Sequence, residues 1–264
     1  MARHVPPGHA DRLTSPVSLV ERLRAAGCVF AEEEAALLQA ETDDPARLEA
    51  MVQQRVDGLP LEHVLGWAEF HGRRYAVEPG VFVPRPRTEH LVDLALKRVQ
   101  PGAVVVDLCC GSGAVGAAIL AEVEVELYSA ELDPVAVAVA RRNVPRVVEG
   151  DLFDPLPASL KGTVDLIVVI APYVPTDEIA LLPHEARDFE PLLALDGGPD
   201  GLDLVRRIVV EAGDWLAPDG ALLTEVSDEQ APVVVAFAEA AGYAASIDDT
   251  VVTLTRTGTP SPPR

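Results

Sequence analysis

The chain has 264 residues, of which 48% are hydrophobic and 24% are charged, and its mean hydropathy is +0.19. This composition is typical of a globular protein with one large or two smaller domains. No segment approaches the run of roughly 18 apolar residues that a membrane helix needs. The N-terminal residues lack the apolar centre of a secretory signal peptide. We therefore expect a cytoplasmic protein that does not span a membrane.

The formal net charge is −21 at pH 7. An acidic surface repels phosphate backbones, because nucleic-acid binding rests mainly on Lys and Arg. The charge therefore argues against a nucleic-acid partner and favours a basic protein or a small molecule, unless it serves solubility alone. Three cysteines, two of them adjacent, fit neither a disulfide framework nor a zinc site. We expect them to be small core residues and predict no metal ion.

The N-terminal part of the chain predicts a tail followed by a helical domain. Residues 1–15 are rich in Pro, Gly and His and are predicted to be disordered. Apolar residues then recur at helical spacing in three short segments, about 17–26, 31–41 and 45–57. These segments predict a small helical domain over residues 16–72.

The remainder predicts a connector and an α/β domain. Residues 73–77 and 81–83 are typical of a short hairpin within a connector over 73–87. Strands and helices then alternate over 88–256, which predicts a parallel sheet. Residues 257–264 are predicted to be a disordered tail. The predicted strands are 103–108, 124–130, 147–148, 164–170 and 221–226, with 244–247 and 251–255 as a closing antiparallel pair.

A glycine-rich turn follows the first strand of this sheet. Glycines at a strand-to-helix turn let a ligand approach the backbone closely. Gly111 to Gly116 formally satisfies the dinucleotide pattern G-x-G-x-x-G. However, Asp107 precedes the turn, where an acid suits a cationic or hydroxyl-bearing ligand better than a pyrophosphate. Glu131 ends the next strand, 18 positions after Gly113, where an acid binds ribose hydroxyls. Both acids favour S-adenosylmethionine.

Two further strand ends carry candidate residues. Asp151 follows a short strand and is a candidate acceptor for an adenine amino group, with Phe153 beside the ring; the alternative is a turn cap. The strand 164–170 stops at a Pro-Tyr-x-Pro turn. Pro172 and Pro175 cannot extend the strand ladder, which leaves nearby backbone polar groups for a ligand. The alternative is an ordinary strand-ending turn.

These motifs resemble the HemK/PrmC family of protein-(glutamine-N5) methyltransferases over roughly residues 23–255. The resemblance implies an α/β fold with a seven-stranded Rossmann-like class I methyltransferase sheet and a small N-terminal helical substrate-recognition domain. It also implies S-adenosyl-L-methionine as cofactor and a class I peptide release factor as partner and substrate. A monomer is favoured. The segments that carry the resemblance are 58–72, 79–89, 107–113, 185–191 and 194–203.

The resemblance implies two sets of site residues, a catalytic turn and a group that binds the cofactor. Several residues have alternative roles. Thr88 either borders the cofactor or caps the helix that follows, and Tyr173 packs over the methyl donor or the acceptor. Glu185, Arg187 and Glu190 either shape the substrate mouth or form surface ion pairs. The catalytic turn would be Ile170, Ala171, Pro172 and Tyr173. The cofactor-binding residues would be Phe82, Arg85, Thr88, Asp107, Cys109, Gly111, Gly113, Glu131, Asp151, Leu152 and Phe153.

Ile170 departs from the family pattern, which has Asn-Pro-Pro-Tyr where this chain has Ile-Ala-Pro-Tyr. The family's asparagine carbonyl accepts a hydrogen bond from the substrate amide nitrogen, together with a backbone carbonyl of the turn. An amide nitrogen is a poor nucleophile, so its positioning matters. Isoleucine offers no acceptor, and losing one such contact costs on the order of 10² in rate.

The amino-acid sequence is compatible with several functions. The first is a glutamine methyltransferase whose catalysis is weakened by Ile170. The second is a methyltransferase for a more nucleophilic or more apolar acceptor, such as a small-molecule amine or hydroxyl. Others are a non-catalytic protein that binds S-adenosylmethionine, an adenine-N6 methyltransferase of nucleic acids, and a dehydrogenase. The net charge of −21 argues against the nucleic-acid enzyme.

Overall fold

The computed structural model describes residues 18–257, which divide into two compact units between Leu61 and Glu62. The disorder predicted for residues 1–15 and 258–264 lies outside the described residues. Thr257 is described, and its amide donates a hydrogen bond to the Gly242 carbonyl over 3.1 Å. Within the described range, no helix is long and apolar enough to cross a membrane.

The first unit contains the three predicted helices, α1 (Leu19–Ala25), α2 (Ala31–Glu41) and α3 (Pro45–Val56). Helix α1 begins with a capping box, in which Ser18 and Glu21 satisfy each other's backbone amides. The apolar faces of the three helices meet in a small core that includes Leu23 and Leu38, both fully buried. The sequence pattern therefore identified these helices to within a few residues.

Helix α4 (Leu61–Leu65) spans the boundary between the units, and the second unit continues with a hairpin of β1 (Trp67–Phe70) and β2 (Arg73–Ala76). The predicted pairing of 73–77 with 81–83 is wrong. The turn lies at His71–Gly72, where φ is 48° and 70°. Two positive φ values are what a two-residue hairpin needs to match the strand twist. Residues 62–72, which the sequence predicts in the helical domain, belong to the second compact unit.

The main sheet has seven strands in the order β5-β4-β3-β6-β7-β9-β8. The strands β3 to β7 pair in parallel, whereas β9 runs antiparallel to both of its neighbours. The predicted closing antiparallel pair is therefore confirmed. The strands are β3 (Val104–Leu108), β4 (Glu126–Glu131), β5 (Val147–Glu149), β6 (Val164–Val169), β7 (Leu216–Glu225), β8 (Tyr243–Asp248) and β9 (Val251–Arg256).

Helices cover both faces of the sheet, so that each face has its own apolar core. Adjacent residues of the central strand β3 face opposite cores, with Val105 in one and Val106 in the other. This explains why the strand is a continuous apolar run. The helices of this unit are α5 (Glu89–Leu96), α6 (Ala114–Glu122), α7 (Pro134–Asn143), α8 (His184–Phe189), α9 (Asp203–Trp215) and α10 (Ala231–Ala240).

Two further segments of the second unit differ from the sequence-based prediction or carry no prediction. Strand β7 begins at Leu216 rather than at residue 221, because its pairing with β6 shifts register and takes in the Pro-Asp-Gly turn. Residues 176–195, which carry no clear periodicity, form short 3-10 helices and α8. Directly after them, Asp196 forms a bridge with Val174, the residue that follows the predicted catalytic turn.

Candidate active site

A cavity of about 1150 Å³ opens at the carboxyl ends of β3, β4, β5 and β6, where open α/β sheets bind ligands. The whole predicted catalytic turn, Ile170 to Tyr173, lines it. Three predicted cofactor residues, Asp107, Gly113 and Phe153, do not line it. The other predicted cofactor residues all do: Phe82, Arg85, Thr88, Cys109, Gly111, Glu131, Asp151 and Leu152.

The loop after β3 is shaped by positive φ values at Cys109 (50°), Gly111 (54°) and Gly113 (78°). The two glycines serve different purposes. A Cβ at Gly113 would lie 3.2 Å from Val144, so Gly113 allows α6 to pack closely there. A Cβ at Gly111 would meet no atom within 4 Å, so this glycine leaves the cavity wall uncovered. Gly113 therefore acts by packing, whereas Gly111 leaves the loop backbone uncovered at the cavity wall.

Asp107 lies behind this loop, 2% exposed, and accepts a hydrogen bond of 3.0 Å from the Gly116 amide. Burial raises the pKa of its carboxyl to about 7; the Gly116 hydrogen bond opposes this shift, and the charge of Glu131 adds to it. A Cβ at Gly116 would lie 2.8 Å from the carboxylate. The third glycine of the G-x-G-x-x-G pattern thus makes room for Asp107.

Glu131 ends β4 at the cavity wall and is held by three backbone amides. One carboxylate oxygen accepts from Gly111 over 2.8 Å. The other accepts from Leu132 over 2.8 Å and from Asp133 over 2.9 Å. Because a carboxylate has about four acceptor positions, Glu131 is oriented by the protein and retains capacity for a hydroxyl donor.

The segment after β5 places two of its three predicted residues at the cavity. Asp151 pairs with Arg207 over 2.9 Å, and Leu152 adopts a positive φ of 47°. Phe153 points elsewhere: it is 2% exposed, and its ring stacks on Trp215 at 5.3 Å between centroids. The prediction of Phe153 beside an adenine ring therefore does not match its position, because the ring is used in the sheet's core.

The turn after β6 presents its three carbonyls differently. The Tyr173 carbonyl accepts a hydrogen bond of 2.8 Å from Gln230. The Pro172 carbonyl lies against Gly197, where a Cβ would approach it to 2.6 Å. The Ala171 carbonyl has no hydrogen-bond donor among residues 18–257. Ile170 is half-buried, lines the cavity and packs against the core on the α5–α6 face.

Two ion pairs border the cavity. Arg85 lies 2.6 Å from both oxygens of Glu190, which also accepts from the Val83 amide over 3.2 Å. Burial raises the pKa of Glu190, and Arg85 opposes the shift. On the other side, Arg87 pairs with the buried Glu225 over 2.8 Å. Glu190 therefore ties the 184–191 segment to the cavity wall and is not a surface ion pair.

The remaining residues that the sequence predicts near the mouth of the cavity lie in different environments. Thr88 lines the cavity and also occupies the N-cap position of α5, where its side chain makes no capping hydrogen bond. Glu185 lines the cavity, whereas Arg187 forms an exposed pair with Asp188.

Cys28 and Cys110 are buried and Cys109 is half-buried. The described residues contain no group of three or more His, Cys, Asp or Glu that could hold a metal ion.

Sequence reasoning did not identify Gln230 or Arg207 as site residues. Gln230 lies in Ser227-Asp-Glu-Gln, a capping-box pattern that indicates a helix start but not its contact with the turn. Arg207 is one of two adjacent arginines on α9, and nothing local distinguishes it from the other.

Comparison with known proteins identifies the family. The chain is 37% identical over 208 residues to the release factor glutamine methyltransferase of Geobacter sulfurreducens, a match that covers 76% of this chain and 72% of the relative. The chain belongs to the release factor glutamine methyltransferase (HemK/PrmC) family. A second relative, the 4-amino-L-phenylalanine/4-methylamino-L-phenylalanine methyltransferase of Streptomyces pristinaespiralis, is 35% identical over 237 residues, covering 83% of this chain and 80% of that protein. No protein-family model matches the chain.

The fold agrees with this assignment. A methyltransferase structure from Pyrococcus furiosus matches with a TM-score of 0.50 and 20% identity, over 69% of this chain and 87% of that one. The predicted α/β class, with a seven-stranded Rossmann-like methyltransferase sheet and N-terminal helices, is confirmed. The assignment also excludes the dehydrogenase alternative, because family members are methyltransferases.

The family membership makes this chain an S-adenosyl-L-methionine-dependent methyltransferase of the protein-glutamine N-methyltransferase type. The cavity fits this cofactor. Gly111 leaves the loop backbone uncovered, and Glu131 is oriented by three amides with acceptor capacity remaining. When bound, the cofactor supplies an electrophilic methyl group on a sulfonium. The residues that line the cavity would hold the cofactor and position the acceptor.

Proposed function

We propose that this enzyme methylates a nitrogen atom held against the turn Ile170–Tyr173, and that the acceptor is a glutamine side chain of a class I peptide release factor. The proposal rests on the carbonyl of Ala171, a residue of the cavity-lining turn. This carbonyl accepts no hydrogen bond from any of the described residues 18–257. A carbonyl in this position suits an acceptor that carries an N–H group. The names of several relatives support the glutamine assignment.

The chemistry of an amide acceptor explains what the turn contributes. The nitrogen lone pair is delocalised into the carbonyl, so the nitrogen attacks slowly unless it is oriented. A hydrogen bond from its N–H to Ala171 would fix the nitrogen toward the methyl group, and this positioning lowers the barrier. Tyr173 lines the same cavity and would cover the acceptor. The nitrogen loses a proton after the transfer, so no strong base is required at the turn.

We further propose roles for the residues that would hold the cofactor. Glu131 would accept hydrogen bonds from the ribose hydroxyls, and the Gly111 backbone would lie against the amino-acid part. Asp151, oriented by Arg207 over 2.9 Å, would accept from the adenine amino group. Leu152 would contact the adenine ring. Phe82, Arg85, Thr88 and Cys109 would complete the walls.

We also propose that the helical unit that ends at Leu61 recognises the protein substrate, and that the enzyme acts in the cytoplasm, where translation termination occurs. The compact helical unit that ends at Leu61 supports a separate recognition domain. The net charge of −21 favours a partner with basic surface and disfavours direct contact with nucleic acid.

A second acceptor class is favoured by one specific observation, the isoleucine at position 170. Ile170 lines the cavity with an apolar side chain where a glutamine acceptor would benefit from a carbonyl. A small-molecule amine keeps its lone pair on nitrogen and needs less orientation than an amide. The relative from Streptomyces pristinaespiralis is named for methylating such an amine, 4-amino-L-phenylalanine.

The two acceptors can be compared directly. The protein is incubated with methyl-labelled S-adenosylmethionine and either a class I release factor or 4-amino-L-phenylalanine, and the label is located by mass spectrometry. We expect label on one glutamine of the release factor, and none when that glutamine is replaced by asparagine. Label on the free amine alone would replace the proposed acceptor by the second class. Absence of label on both would refute nitrogen methylation of these two acceptors.

A further inference from the structure

Gln230 contacts the catalytic turn from a different part of the chain. It precedes α10, and only 8% of its surface is exposed. Its side-chain nitrogen donates to the Tyr173 carbonyl over 2.8 Å and to the Asp200 carbonyl over 3.0 Å. Its side-chain oxygen accepts from the Ser227 amide over 3.1 Å. Both N–H donors of the amide and one of the two acceptor positions on its oxygen are therefore used.

The orientation of this amide is determined by its neighbours. The oxygen faces a backbone N–H, which can only donate, and the nitrogen faces two carbonyls, which can only accept. If the amide were flipped, its oxygen would face the two carbonyls and its nitrogen would face the Ser227 amide. Acceptors would then face acceptors, and a donor would face a donor. Ser227 completes the arrangement, because its hydroxyl accepts from the Gln230 amide over 3.3 Å in a capping box.

A glycine-rich loop, residues 196–201, packs on the same turn from behind. The Gly197 amide donates to the Val174 carbonyl over 2.9 Å, and the Thr176 amide donates to Gly198 over 3.0 Å. A Cβ at Gly201 would lie 2.1 Å from the Tyr173 carbonyl and 2.4 Å from the Gln230 nitrogen. Glycine at 201 thus allows the loop to lie directly behind the turn, with Gln230 joining the two.

We propose that Gln230 is a positioning residue for methyl transfer, which holds the catalytic turn through the Tyr173 carbonyl and the glycine-rich loop. Gln230 occupies the Tyr173 carbonyl, whereas the Ala171 carbonyl, which the proposed function gives to the acceptor, has no donor among residues 18–257. Gln230 acts through the turn and does not line the cavity. Its effect on turnover rests on the proposed function, whereas its effect on the turn does not.

The test is the substitution Gln230→Glu, which keeps size and shape but replaces both N–H donors by an oxygen facing two carbonyls. Gln100→Glu is the matched control, because Gln100 is exposed and precedes β3 away from the cavity. Hydrogen exchange followed by mass spectrometry measures the amides of Val174, Thr176 and Gly197. We expect exchange roughly tenfold faster in Gln230→Glu and unchanged in Gln100→Glu. Unchanged exchange in both variants would overturn the proposal.

Turnover then separates positioning from general stability. For the acceptor labelled by the wild-type protein, we expect kcat to fall about 10²-fold in Gln230→Glu, with little change in the acceptor KM or in the Kd for S-adenosylmethionine. We also expect kcat of this variant to rise as the pH falls toward 5, because a protonated carboxyl regains one donor. A loss confined to KM, or a variant as active as Gln100→Glu, would overturn the positioning role. Should the wild-type protein label neither acceptor, the proposed function fails, and hydrogen exchange alone decides whether Gln230 holds the turn.

Discussion

Asp107 and Gly116 are joined behind the cofactor loop by a hydrogen bond of 3.0 Å from the Gly116 amide to the Asp107 carboxylate. The acid at the end of β3 therefore connects the strand to helix α6, which begins at Ala114. Because Asp107 does not line the cavity, it shapes the loop from behind, and its ionisation is coupled to folding.

The free energy of unfolding is expected to depend on pH through Asp107. Its carboxyl has a folded pKa of about 7, against 3.8 for an unperturbed aspartate. Between about pH 4 and pH 7 the folded state holds a proton that the unfolded state lacks, so stability falls as the pH rises through this range and then levels off. Relative to Asp107→Asn, the wild-type protein should lose up to roughly 3 kcal/mol between pH 5 and pH 8. Urea denaturation of both proteins at both pH values measures this difference; parallel pH curves would contradict it.

Replacing Gly116 by alanine should destabilise the protein by about 1–3 kcal/mol. The added methyl group would lie 2.8 Å from the Asp107 carboxylate and 3.0 Å from Leu127, both in the tightly packed interior. Gly213→Ala is the matched helical control, because its closest neighbour, the Tyr243 hydroxyl, is 3.3 Å away. Thermal unfolding should show a clearly larger loss for Gly116→Ala. Equal losses would show that Asp107 moves aside without cost.

Replacing Glu131 by glutamine should weaken cofactor binding by about 10- to 10²-fold. The substitution turns one acceptor oxygen into a donor, which then faces either the Gly111 amide or the amides of Leu132 and Asp133. Calorimetric titration with S-adenosylmethionine measures the change. Glu126→Gln, at the exposed start of the same strand, is the control and should bind like wild type. An unchanged Kd in Glu131→Gln would remove Glu131 from the proposed cofactor site.

Replacing Ile170 by asparagine should raise turnover on a release-factor glutamine by about 10²-fold, because the new carbonyl would join Ala171 in orienting the acceptor amide. Initial rates with saturating S-adenosylmethionine measure the gain. Ile247→Asn makes the same change on an exposed position of β8 and should leave the rate unchanged. No gain from Ile170→Asn would show that Ile170 does not limit glutamine methylation and would favour the small-molecule acceptor.

Much of the site was readable from the order of residues along the chain. The strands are apolar on both faces, and polar residues or glycines follow them directly. In a parallel sheet the carboxyl ends lie at one edge, so Gly111, Glu131, Asp151 and Ile170 had to converge there. The hairpin turn was not predicted from the sequence, because His71–Gly72 lacks the usual Asn-Gly or Asp-Gly signal.

Local patterns in the sequence predict the fold class, the glycine-rich loop after β3 and the turn after β6, because strand periodicity and strand-end residues are local properties of the chain. The positions of three residues follow from tertiary packing instead: Phe153 lies in the core, Asp107 lies behind the loop, and Gln230 donates a hydrogen bond to Tyr173. These contacts depend on how helices pack on the sheet. Tyr173 and Gln230 are 57 positions apart in the chain, and packing over such a distance leaves no local pattern in the sequence.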